Sequence, residues 1–173
     1  MKKLVFLLLF VVSTTHASPI SVYFSPDDNL QNRLIELIDG EKKEIKIAIY
    51  TFTNRRIASA LNRAKERGVR VELVADVSSA KESLPYGTLE KKGAKVHTFF
   101  SEATRPSNRA LMHHKFALFR ENERGEHIVW TGSFNFTYKA TRQNRENAVV
   151  FSDQNVYTAF SEEFKRLISV PKE

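Results

Sequence analysis

Cysteine is absent from all 173 residues. That excludes a disulfide framework, a thiolate zinc site and a lipid-modified N-terminal cysteine. Long apolar runs are also scarce. The longest, Leu4 to Val12, has nine residues, against roughly 20 for a helix that spans a bilayer. Acidic residues are in deficit, 20 against 27 lysines and arginines, for a net charge of +7. A basic surface suits a polyanionic partner such as nucleic acid or an anionic membrane, although charge alone also serves solubility. At 42% hydrophobic and 27% charged, the chain has an ordinary globular composition and enough length for one well-packed domain.

The short apolar run follows Lys2 and Lys3 and precedes Thr15-His16-Ala17. A basic start, an apolar middle and small residues at a cleavage point are the parts of a secretory signal. Residues 1–17 are therefore expected to be a signal peptide, with an uncleaved membrane anchor as the alternative. Losing them leaves 25 basic against 20 acidic side chains, so the remainder stays basic. Export without disulfides fits a periplasm or a cell surface.

From residue 21 onward, strand-like and helix-like segments alternate. The stretch "EIKIAIYTF" (Glu44 to Phe52) has strand character, and Asn54 is placed to cap a helix that Gly68 ends. A polar turn with Asn122, Glu123 and Gly125 separates two apolar strands, Met112 to Phe119 and Glu126 to Gly132, as in a hairpin. The pattern predicts one α/β domain over 18–173, a layered α-β-α arrangement whose mixed, largely parallel sheet is flanked by helices. No internal repeat or linker interrupts it.

The chemistry-bearing residues gather on that hairpin. In "ALMHHKFALF", alternation puts His113 and Lys115 on one face and His114 on the other. In "IVWTGSFNF", Ser133 and Asn135 share one parity while Trp130, Phe134 and Phe136 share the other. A nucleophile, a point charge and neutral donors suit a tetrahedral phosphate, and Gly132 permits close backbone approach. Singly, each residue has a plainer reading. His113 could be a surface histidine, Lys115 a solvated lysine and Asn135 a turn residue. Glu146 could simply pair with Arg142 or Arg145. His97 and His127 have no metal-ligand spacing, so no metal site and no cofactor are expected.

Together, "HHKFALF" and "TGSFNFT" resemble the HxK(x)4D…GSxN signature of the phospholipase D superfamily. The similarity extends through "YTFTNRRIASALNRAKERGVRVELVAD" and "NRENAVVF". With a single motif, the chain resembles the small secreted bacterial endonucleases of that superfamily, including the NucT type. The resemblance implies His113 as nucleophile, Lys115 as the phosphate-binding charge, Ser133 and Asn135 as phosphate ligands, and Glu146 as the acid that orients His113. It further implies a phosphohistidine intermediate and a homodimer, since one motif supplies only one of two histidines. DNA, preferably single-stranded, is the expected substrate, with RNA or a phospholipid as alternatives, and an inactive nucleic-acid-binding module as a third. Arg105 and Arg109, in "SEATRPSNR", are candidate nucleic-acid contacts. One position departs from the signature: Arg120 stands in the aspartate slot, with Glu121 beside it.

Overall fold

A computed structural model describes residues 20–80, 84–100 and 110–169. The expected signal segment, Arg105 and Arg109 lie outside the described residues. The elements are β1 (Ser21–Phe24), α1 (Leu30–Gly40), β2 (Glu44–Ile49), α2 (Arg55–Glu66), β3 (Arg70–Asp76), α3 (Val77–Ala80), α4 (Leu84–Lys91), β4 (Lys95–Phe99), β5 (Lys115–Phe119), β6 (Ile128–Gly132), α5 (Tyr138–Arg142), β7 (Asn147–Phe151) and α6 (Gln154–Ser169). They build one seven-stranded sheet in the order β1-β7-β6-β5-β2-β3-β4.

Alternation along the strands divides the core in two. Ile45, Ile47 and Ile49 of β2, Ala117 and Phe119 of β5 and Trp130 of β6 pack with Leu34, Leu61 and Leu89 of α1, α2 and α4. Ala48, Phe116, Leu118 and Val129 point oppositely and pack with Tyr157, Phe164 and Leu167 of α6. The layered α/β architecture is therefore as expected. The expectation of a largely parallel sheet needs correction. Among the described strands, β2–β3 and β3–β4 pair in parallel, where helices provide the crossover that parallel strands require. β5 and β6 form the predicted hairpin and pair antiparallel. β5 also pairs antiparallel with β2, as β7 does with β6 and β1.

Local signals act as read. Asn54 Oδ1 accepts the backbone N–H groups of Arg56 and Ile57 at 3.0 and 3.3 Å, capping α2. In the hairpin turn, Asn122 Oδ1 accepts from the N–H groups of Arg124 and Glu126 at 2.8 and 2.9 Å. At this end of β5, Arg120 is exposed and 3.8 Å from Glu44. The Glu121 carboxylate pairs with Lys43. The buried carboxylate here is Glu41, which accepts the Glu121 N–H at 3.0 Å and the Lys43 N–H at 2.7 Å. A carboxylate from before β2 thus ties the ends of β2 and β5 together, while Arg120 replaces the motif acid beside it.

Gly132 ends β6 where backbones nearly touch. A Cβ there would lie 2.2 Å from the carbonyl oxygen of Asn147 and 2.9 Å from the Cα of Ala148. The close approach foreseen at this glycine is made by β7. Neither atom can yield without moving β7, so Gly132→Ala is expected to cost about 1–3 kcal/mol, the usual range for overpacking. Urea unfolding of both proteins measures it, and an unchanged midpoint would mean that β7 yields freely.

Candidate active site

The site forms at the end of the sheet where β5 begins and β2 ends. Tyr50 N–H donates to the carbonyl of His114 at 2.9 Å, so pairing continues one step past β5. His113 projects from this lip, with its ring 4.5 Å from that of Tyr50. Lys115, only 8% exposed, places Nζ 3.0 Å from His113 Nδ1 and 2.6 Å from the His113 carbonyl oxygen. It also lies 5.3 Å from the Tyr50 ring centroid. An ammonium has three donors and no acceptor. With two directed at His113, one remains for a ligand.

His114 takes the opposite direction, as parity predicts. Its Nε2 is 3.4 Å from Glu163 on α6, and its ring is 5.7 Å from Phe116. His97 pairs with Glu72 at 2.7 Å, and His127 stacks on Tyr157. Neither joins the site, and no group of three His, Asp or Glu side chains able to hold a metal occurs among the described residues.

Ser133 and Asn135 arrive by a route that alternation alone does not give. Thr131 sits opposite Phe116, whose side chain faces α6. Simple alternation would carry Ser133 and Asn135 to that same face, away from Lys115. Instead β6 stops at Gly132 and the chain crosses the end of β5. Phe136 N–H reaches the carbonyl of Thr51 at 3.0 Å, and Phe136 bridges Phe52. Phe52, Phe134 and Phe136 are fully buried and hold this crossing down. Asn135 Oδ1 accepts the Thr51 N–H at 3.2 Å. The two polar segments therefore flank the lip that carries His113 and Lys115.

Ser133 Oγ donates to Glu146 Oε2 at 2.6 Å and accepts the Asn147 N–H at 3.0 Å. The other Glu146 oxygen accepts from Asn144 Nδ2 at 2.9 Å. Thus His113 pairs with Lys115, and Ser133 pairs with Glu146. The Glu146 carboxylate is directed at Ser133 and Asn144 in this single chain.

Electrostatics connects the pairs. Burial pushes the Lys115 pKa below the usual lysine value, and the Glu146 charge opposes that shift. Desolvation of the His113 ring, followed by the Lys115 ammonium, holds its pKa below that of an ordinary histidine. His114 adds to the lowering, while Asp76 pulls the other way. Desolvation and the ammonium both favour the neutral imidazole, the state in which it can attack an electrophile.

Tyr50, Asp76 and Asn144 were not singled out from the sequence. Asp76 is fully buried at the end of β3. Its Oδ2 accepts the Met112 N–H at 3.0 Å, and its Oδ1 accepts the Ser78 N–H at 2.9 Å. It thereby anchors the residue just before His113. The signal was present in "VELVAD", an acid closing an apolar strand at the sheet end where α/β proteins bind ligands.

A histidine beside a buried lysine, on the end of a mixed sheet with a Gly-Ser-x-Asn crossing, is an arrangement that points to a phospholipase D-type fold. Residues 34–168 match the family described as cardiolipin synthase, PLD-like domain. The chain belongs to this family, and within the phospholipase D superfamily it is Nuc-like. A phospholipase D family member, Nuc from Salmonella typhimurium, has a TM-score of 0.73 and 28% identity, covering 87% of this chain and 93% of that one. NucT from Helicobacter pylori gives 0.77 and 26%, covering 87% and 95%. A mitochondrial cardiolipin hydrolase from Xenopus tropicalis is 30% identical over 141 residues, 81% of this chain and 61% of the relative. The chain thus spans about three fifths of that curated relative.

Proposed function

We propose that this protein is a phosphodiesterase that hydrolyses DNA, faster when single-stranded, at a site completed by a second copy of the chain. The observation that carries this reading is the exposed His113 ring held 3.0 Å from the nearly buried Lys115 ammonium. In the proposed cycle, His113 Nε2 attacks phosphorus and the bond to the leaving oxygen breaks. His113 of the second copy gives that oxygen its proton. The same histidine then takes a proton from water, whose oxygen attacks phosphorus and breaks the P–N bond. One chain holds one such histidine, so a two-fold dimer bringing two lips face to face meets the requirement.

Lys115 Nζ is the charge for the non-bridging oxygens, taking the place a metal holds in other nucleases. As it turns to a phosphate, Nδ1 of His113 is released to carry the ring proton, which frees Nε2 to attack. Glu146 is the acid proposed to hold that proton on Nδ1, and substrate drawing Ser133 away would free one of its oxygens. With Asn135 Oδ1 engaged by Thr51, its NH2 is the end offered to phosphate. Arg105 and Arg109 are proposed as contacts to the strand. Export through residues 1–17 and a periplasmic or surface location complete the reading. Among the described residues, no helix is long and apolar enough to cross a membrane.

A second reading, hydrolysis of a phospholipid, draws support from the cardiolipin hydrolase similarity. One experiment separates the two. Purified protein is offered matched single- and double-stranded DNA, and cardiolipin vesicles, each with and without excess EDTA. Single-stranded DNA is expected to be cut fastest, and equally with chelator present. Turnover of vesicles alone would transfer the assignment to lipid. Complete loss in EDTA, restored by a divalent ion, would overturn the metal-free mechanism.

A further inference from the structure

Beside the catalytic lip, Phe24, Ser25, Ser133, Arg145, Glu146 and Asn147 line an open cavity of about 250 Å³. Phe24 closes β1, an edge strand, and stands across from Asn147 in the β1–β7 register. Its neighbour Tyr23 packs into the core. Phe24 itself is 56% exposed, on a stripe with Val22 at 48%. An exposed phenylalanine needs no explanation when it stands alone. This one shares a cavity with a cation and with the serine proposed to bind the scissile phosphate.

We propose that this cavity is a nucleotide subsite, in which a base of the bound strand stacks on Phe24 while Arg145 pairs with the adjacent phosphate. The inference rests on the nucleic-acid reading given above. Three features point to a nucleotide. Phe24 offers a flat π face to a base of any identity, which suits a strand read without sequence preference. Arg145 offers a planar donor fork to a phosphate. Its present partner is Asp27 at 3.0 Å, and both side chains are well exposed, so the pair is weak and exchanges readily. The carboxylate in the cavity, Glu146, has its two oxygens turned to Ser133 and Asn144. The subsite is also continuous with the proposed phosphate ligands, since Asn147 Oδ1 accepts the Ser133 N–H at 3.1 Å.

The test uses full-length protein carrying His113→Ala, so that a short oligonucleotide with one 2-aminopurine is bound without being cut. Stacking should quench the fluorophore. Adding Phe24→Ala should raise Kd about tenfold and abolish the quench, as expected for a lost base–aromatic stack, and Phe24→Trp should restore both. Val22→Ala, on the same stripe but with no π face and outside the cavity, should leave Kd within about a factor of two. Arg145→Ala should weaken binding and reduce the slope of log Kd against log salt by about one. Equal Kd for the Phe24→Ala and parent proteins would overturn the subsite while leaving the nuclease reading in place. So would equal losses for Val22→Ala and Phe24→Ala, which would mark a general apolar contact. Loss of binding to cardiolipin vesicles, with oligonucleotide binding unchanged, would make the patch a lipid surface. Failure of the wild-type protein to cut any nucleic acid would remove the nuclease reading, and the subsite with it.

Discussion

His113→Ala is expected to abolish hydrolysis, lowering kcat by at least about 10⁴-fold while the protein stays folded and dimeric. In the proposed shared site, the substitution would remove the nucleophile from one copy and the proton donor from the other. The side chain sits on an exposed lip, so its loss opens no cavity in the core. Circular dichroism should be unchanged, and light scattering should still give about twice the monomer mass. Dimers mixed from one wild-type and one substituted chain should also be inactive. His114→Ala, by contrast, breaks a half-exposed contact with Glu163 and a ring contact with Phe116 and should retain most of the activity. Equal losses in the two variants would place the chemistry on the wrong histidine. A fully active monomer at high dilution would remove the shared site.

The second large effect is expected at Lys115. Lys115→Met keeps most of the length of the side chain and removes its charge. Removing the ammonium relieves its desolvation but costs its hydrogen bond to the His113 carbonyl, so the two effects on stability oppose each other. Catalysis should nevertheless fall by about 10²–10³, the range for losing one preorganised donor to a developing anion. The variant should also change a titration. The Lys115 charge helps hold the His113 pKa down, so its removal moves that pKa up. Attack needs neutral His113 in one copy, and the proposed proton donor is the protonated His113 of the other. In the wild type, the acid limb of kcat/KM should lie below the ordinary histidine pKa, and in Lys115→Met it should move to higher pH. NMR titration of the His113 ring measures the same shift directly. A His113 pKa that stays put or falls would show that the ammonium does not act on the ring.

Much of this arrangement was legible in the linear chain. The strand parity that separates His113 from His114 holds because the pairing of β5 with β2 runs past the end of the strand, where Tyr50 still bonds His114. Asn54 caps α2 as its position implied, because a side-chain acceptor two or three residues ahead of orphan N–H groups is a local device. Mixed strand direction was harder to read. Apolar runs of similar length look alike, and direction depends on whether a crossover helix or a turn joins them.

The sequence by itself determined the family and nominated the candidate site. Residue types, their spacing and the periodicity of the strands around them are local properties, so His113, Lys115, Ser133, Asn135 and Glu146 could be chosen without coordinates. Their environments were decided by the tertiary structure. Crossing of the Ser133–Phe136 segment over the end of β5 depends on burying Phe134 and Phe136 beside Phe52, residues about eighty positions apart in the chain. Burial of Lys115, the consequent lowering of the His113 pKa and the anchoring of Met112 by Asp76 are likewise long-range. The pairing of β1 with β7 brings Phe24 beside Asn147. Each of these depends on which strand lies next to which, a global minimum of packing and hydrogen bonding that no local pattern contains.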